Sequence, residues 1–97
     1  MKAVMIIYNQ AHTEKVDYML TSLGIKGYSQ FPEVLGRGSN DGVPHLSTHT
    51  WPEINSAMLV MVDDNLVEPM LEKVRKIDAI NTEVGIRAFV WDILQTV

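Results

Sequence analysis

His45 and His49 stand four residues apart within Gly36 to Pro52, a stretch that reads Gly-Arg-Gly-Ser-Asn-Asp-Gly-Val-Pro-His-Leu-Ser-Thr-His-Thr-Trp-Pro. Imidazoles are common ligands of zinc and copper. On a helix this spacing puts both rings on one face, but Pro44 and the Ser47-Thr48 pair disfavour a helix here. On an extended chain the two residues lie roughly 13 Å apart. A shared Zn or Cu ion then needs a turn in the chain or a ligand from a second subunit. Solvated loop histidines are the plain alternative. His12 joins the pair only if the fold brings its own connection to this loop. At the front of the stretch, Gly36, Arg37 and Gly38 offer backbone N–H groups and a guanidinium to a phosphate. The same glycines also serve simply to let the chain leave a strand, with Arg37 in water. Arg87 lies in a hydrophobic run and needs a counter-charge, from a ligand anion or from a carboxylate of the protein. Trp51, followed by Pro52, reads as an anchor for the end of the loop rather than as a stacking platform.

The stretch is aperiodic in a chain that is otherwise almost wholly patterned. Glycine and proline bar it from a helix interior, and a loop this long in a small protein is seldom only a connector. Ser39, Asn40, Asp41, His45, His49 and Trp51 are therefore the expected partner-contacting residues of a loop spanning about 38–51. No His–Asp or Glu–Glu pair recurs at a spacing that forces proximity. Asp63-Asp64 stands where a helix cap is needed. A catalytic role is not expected, and a small pocketed enzyme ranks third among the readings.

Composition narrows the partners. The 97 residues include eight basic and twelve acidic side chains, for a net charge of −4, and no basic cluster exceeds Lys73, Arg75 and Lys76. That disfavours nucleic acid as the main partner. Aliphatic runs such as Ala57 to Val62 are too short to span a bilayer, and the start lacks a secretory pattern, so a cytoplasmic protein without membrane insertion is expected. The absence of cysteine excludes disulfides and thiolate chemistry.

The elements that must position these residues are legible from period. Lys2 to Tyr8 is a Val/Ile/Met-rich strand. Between His12 and Leu23, residues Val16, Met19, Leu20 and Leu23 form an apolar helical stripe, which Gly24 ends. Gly27 to Leu35 is extended, with Pro32 marking an edge strand or a bulge. Ser56 to Val62 is a third strand, and Asp63-Asp64-Asn65 offers a cap for the next helix. Its stripe is Val67, Met70, Leu71, Val74 and Ile77, with Pro69 expected in the first turn and Glu72–Lys76 as a solvated i, i+4 pair. Ile86 to about Ile93 is the last strand. The order βαββαβ predicts a single α+β, ferredoxin-like domain over residues 1–97, with a four-stranded antiparallel sheet and both helices on one face.

Ala3, Met5 and Ile7 alternate with Val4, Ile6 and Tyr8, and Ala57, Leu59 and Met61 alternate with Met58, Val60 and Val62. Both sheet faces are thus apolar. Two helices cover only one of them, so the chain is expected to form a homo-oligomer through the open face, with ligand sites in clefts between subunits.

Gly24-Ile25-Lys26-Gly27, Glu33-Val34-Leu35-Gly36-Arg37-Gly38, Val62-Asp63-Asp64-Asn65-Leu66-Val67-Glu68 and Arg87-Ala88-Phe89-Val90 resemble, in order and spacing, the P-II signal-transduction family. The resemblance covers most of the chain and implies a trimer that senses adenine nucleotides between subunits and contacts a target protein through its long loop. It carries ligand binding to Gly36, Arg37, Gly38, Gly85 and Arg87, and implies a nitrogen-regulation type of role. The chain departs from the family pattern in several places. Arg87 replaces the expected phosphate-binding lysine, Gly36-Arg37-Gly38-Ser39 replaces a Gly-aromatic-Gly-basic pattern, and Met58 replaces an acidic adenine contact. The two C-terminal arginines have no counterpart up to Val97, and the loop has no tyrosine to accept a nucleotidyl group. The alternative is a divalent-metal-binding, CutA-like trimer that uses the loop histidines.

Overall fold

The computed structural model describes residues 1–35, 54–80 and 85–97. The elements run β1 (Lys2–Asn9), a 3-10 turn (Gln10–His12), α1 (Thr13–Ser22), β2 (Ser29–Val34), β3 (Asn55–Val62), α2 (Asp64–Ile80) and β4 (Ile86–Asp92). The four strands form one sheet in the order β2-β3-β1-β4, and every neighbouring pair is antiparallel. This is the ferredoxin-like arrangement.

Strand alternation decides which side chains meet the helices. Ile6 stands opposite Met58 on β3 and Ala88 on β4, and Val4 opposite Val60 and Val90. From this face Val4, Ile6, Tyr8, Met58, Val60, Val62 and Ile86 are buried against Val16, Met19 and Leu20 of α1 and Met70, Val74 and Ile77 of α2. Both helical stripes thus lie where their spacing puts them.

The other face carries the row Ser29–Leu59–Met5–Phe89, flanked by Phe31–Ala57–Ile7–Arg87 and by Met61–Ala3–Trp91. Phe31 is 45% exposed, Met61 50%, Phe89 53% and Trp91 48%. Four large apolar side chains half in water on one sheet face make a patch larger than isolated soluble chains usually present.

Local signals explain the element ends. Leu23 closes α1, and Gly24 follows it at φ 77°. The Ile25 N–H donates to the Leu20 carbonyl (2.9 Å) and the Gly24 N–H to that of Thr21 (3.0 Å), which is a Schellman closure. Ile25 is then drawn into the core. β2 is an edge strand whose register with β3 shifts between Phe31 and Val34. Pro32 lies inside that irregularity, where a missing donor does least harm. The Ser56 hydroxyl donates to the Pro32 carbonyl (2.7 Å) and holds the irregular strand to β3.

Two expectations need correction. Pro69 does not lie in the first turn of α2. The helix begins at Asp64, so Pro69 is its sixth residue and forfeits a bond to the Asn65 carbonyl. The stretch Asp63-Asp64-Asn65 contains three cap-competent residues, and the helix starts early among them, with the Leu66 N–H on the Asp63 carbonyl at 3.0 Å. Glu72 does not pair with Lys76. Its carboxylate accepts from Arg75 (3.1 Å), which also holds Glu68 at 2.8 Å. A guanidinium with several donors outcompetes one ammonium for the same acid.

Candidate functional site

β1 and β2 end, and β3 and β4 begin, at the same end of the sheet, because Tyr8 stands opposite both Ser56 and Ile86 and Asn9 opposite Asn55. The anchors of residues 36–53, Leu35 and Ile54, therefore lie at the same end of the sheet as Gly85, the anchor of residues 81–84. The end of β1 joins them. The Asn9 N–H donates to the Gly85 carbonyl at 3.3 Å, and the Gln10 N–H to the Ile54 carbonyl at 2.7 Å. The Asn9 side chain meanwhile accepts from the Ala11 N–H at 2.8 Å and starts the 3-10 turn. The end of β1 thus ties together Ile54 and Gly85, the residues at which the chain returns from both connections.

Arg87 is the cation of this end. It belongs to the open-face row, opposite Ile7, but β4 is an edge strand and the long side chain folds around the edge. Its guanidinium donates to the Asp78 carboxylate of α2 at 3.3 Å and to the Ile86 carbonyl at 2.8 Å. The head remains largely exposed beside a cleft of about 230 Å³ between α2 and β4, lined by Leu71, Val74, Arg75, Asp78, Ile86 and Ala88. The counter-charge that Arg87 needs is therefore supplied by the protein. Asp78 was not foreseen, although an acid near a helix C-terminus faces the negative end of the helix dipole and so calls for a partner.

Tyr8 is the second residue missed. It is fully buried, and its hydroxyl has no hydrogen-bond partner among the described residues. Burial pushes its pKa up, against a smaller downward pull from the neighbouring Thr13 and Gln30 side chains. Nearby, the Tyr28 hydroxyl donates to Asp17 (3.2 Å), and that carboxylate raises the Tyr28 pKa.

Of the expected site residues, Gly85 and Arg87 are at this end. Gly36, Arg37, Gly38, Ser39, Asn40, Asp41, His45, His49 and Trp51 lie outside the described residues. His12 is buried in the turn after β1, on the same end of the sheet as Leu35 and Ile54. Among the described residues no group of three His, Asp or Glu side chains is placed to hold a metal, and no helix is long and apolar enough to cross a membrane.

The architecture is that of a ferredoxin-like protein with an uncovered apolar sheet face and two connections leaving one end. The match to the family model of nitrogen regulatory protein P-II runs over residues 1–97, and the chain belongs to the P-II family. Among solved structures, CPII from Thiomonas intermedia K12 bound to ADP and bicarbonate is similar at 27% identity and TM-score 0.77, over 95% of this chain and 84% of that one. A second CPII structure, described as a nitrogen regulatory PII-like protein bound to ADP, AMP and bicarbonate, matches at 26% identity and TM-score 0.74, over 95% and 88%. The apo form of CPII shares the fold at 24% identity and TM-score 0.73, over 95% and 87%. No curated protein matches the chain.

Proposed function

We propose that this protein is a P-II-like regulator that forms a trimer through its open sheet face. It binds an adenine nucleotide in the clefts between subunits and changes a partner protein's activity through residues 38–51. The carrying observation is the convergence of both connections on the end of β1, next to Arg87. A ligand held there by Gly36, Arg37, Gly38, Gly85 and Arg87 touches the roots of both connections at once. Binding energy spent on one arrangement of the loop then shifts its population, which is what a sensor requires.

Similarity to ADP- and bicarbonate-bound CPII supports an adenine nucleotide as the effector and a small oxyanion as a second ligand. Arg87 in place of a lysine suits that chemistry, since a planar fork binds phosphate through two parallel bonds. Asp78 is the price of this arrangement: an incoming phosphate must share or displace it.

Calorimetric titration of the metal-free protein with ATP, ADP and AMP, each with and without bicarbonate and Zn²⁺, tests the proposal. Saturable nucleotide binding at about one per subunit, abolished in Arg87→Ala, is the expected result. Zn²⁺ uptake lost in His45→Ala, with no nucleotide binding, would overturn it in favour of a metal-binding trimer.

A further inference from the structure

On the covered side of the sheet, away from the open face and from Arg87, α1 and α2 lie side by side with a cleft of about 340 Å³ between them. Its floor is Met19 and Ile77, both buried, and Tyr18, a residue 75% exposed, forms a wall. Lys15, Lys73 and Lys76 line it, against a single carboxylate, Glu14. None of these lysines forms an ion pair among the described residues. The cause is local: Arg75 takes the carboxylates of both Glu68 and Glu72, so Lys76 loses its i, i+4 partner. A chain of net charge −4 thus gathers around one apolar floor three ammonium groups that have no ion-pair partner among the described residues.

We propose that this cleft binds a small amphiphilic anion, a carboxylate or phosphate on an apolar body. The apolar body lies on Met19, Ile77 and the Tyr18 ring. The head group is met by Lys73 and Lys76, with Lys15 across the cleft. Apolar walls with a few convergent polar groups are what small-ligand sites present. Compact ammonium groups on flexible stems fit a head group of either geometry, where a guanidinium fork would select one. The ligand is the free anion rather than a bilayer surface, because the chain's net negative charge repels an anionic membrane but not one neutralised head group in a cationic cleft. The site faces away from the open sheet face, so closing that face leaves it accessible. It does not depend on the nucleotide reading.

The test is an NMR titration of isotope-labelled protein with decanoate below its micelle concentration, with decanol as the uncharged control. Saturable shifts centred on Met19, Ile77, Lys73 and Lys76 are expected, with decanol binding at least several-fold more weakly. Lys73→Ala/Lys76→Ala weakens decanoate about tenfold. Arg75→Ala, which leaves both lysines in place but returns Glu72 to Lys76, weakens it two- to threefold. Equal binding of decanol, shifts centred on Phe89 and Trp91, or no shifts at all would each overturn the proposal. So would co-sedimentation with phosphatidylglycerol vesicles in the absence of decanoate binding.

Discussion

Asp78 and Arg87 lie 3.3 Å apart across the edge of the sheet, and their meeting joins the last turn of α2 to the first residues of β4. Residues 81–84 connect those two elements, so the ion pair spans the base of that connection. Both heads are exposed enough that water screens the pair, and its worth to folding is less than about 1 kcal/mol. Its significance lies in what it holds ready.

If Asp78 competes with a phosphate for the guanidinium, Asp78→Asn raises nucleotide affinity severalfold, while Arg87→Ala abolishes binding. Both variants retain a urea midpoint close to the parent's, because the pair contributes little to stability. An Asp78→Asn protein that binds nucleotide no better than the parent would show that the two anions do not compete.

The open sheet face gives a second prediction. Phe89→Asp puts a charge at the β4 end of the row Ser29–Leu59–Met5–Phe89, where a packed neighbour would leave it desolvated. Light scattering is expected to report a trimer for the parent and a monomer for the variant. An unchanged mass would exclude this face as the interface.

Gly24 gives a third. At φ 77° an added Cβ meets no atom within 4 Å, so Gly24→Ala tests backbone strain without a clash. The expected loss is about 1–2 kcal/mol, read as a lower urea midpoint with an unchanged slope. A neutral outcome would mean that α1 ends differently in solution.

Tyr8 gives a fourth, with a defined sign in pH. Its folded pKa lies above the ordinary tyrosine value because burial disfavours the phenolate. Between the unfolded and folded pKa values the native state therefore holds the proton more often, and stability falls as pH rises above about 10. Below that range Tyr8 adds no slope. Tyr8→Phe removes a buried hydroxyl that has no partner among the described residues, so at neutral pH it is expected to be neutral or stabilising by up to about 1 kcal/mol. It is also expected to flatten the alkaline limb of the stability profile. A variant destabilised by more than that would mean the hydroxyl is hydrogen-bonded in the folded protein.

Much of the fold could be read from side-chain period, and the reasons are specific. Val4, Ile6 and Tyr8 alternate with Ala3, Met5 and Ile7, and two apolar sets in one strand mean two faces to cover. Pro32 announced an irregular edge, and Gly24 a helix stop. The P-II resemblance also rested on short segments in the right order. What could not be read depends on competition between side chains. Glu72 had two cations within reach, and only the disposition of Glu68 and Arg75 decides which one it keeps. Arg87 needed an anion, but nothing in its own strand says that the chain folds Asp78 against it. Pro69 was misplaced because Asp63, Asp64 and Asn65 can each start a helix.

β1 lies at the centre of the sheet, and both of its partners come late. Lys2 stands opposite Val62 and Asp92, so the first strand made is hydrogen-bonded only to strands from the second half of the chain. Such long closures favour slow folding. During synthesis, Lys2–Asn9 and its two apolar sides wait as an unpaired strand until β3 has left the ribosome. Nascent chains halted after α1 are thus the species most exposed to aggregation and most in need of a chaperone.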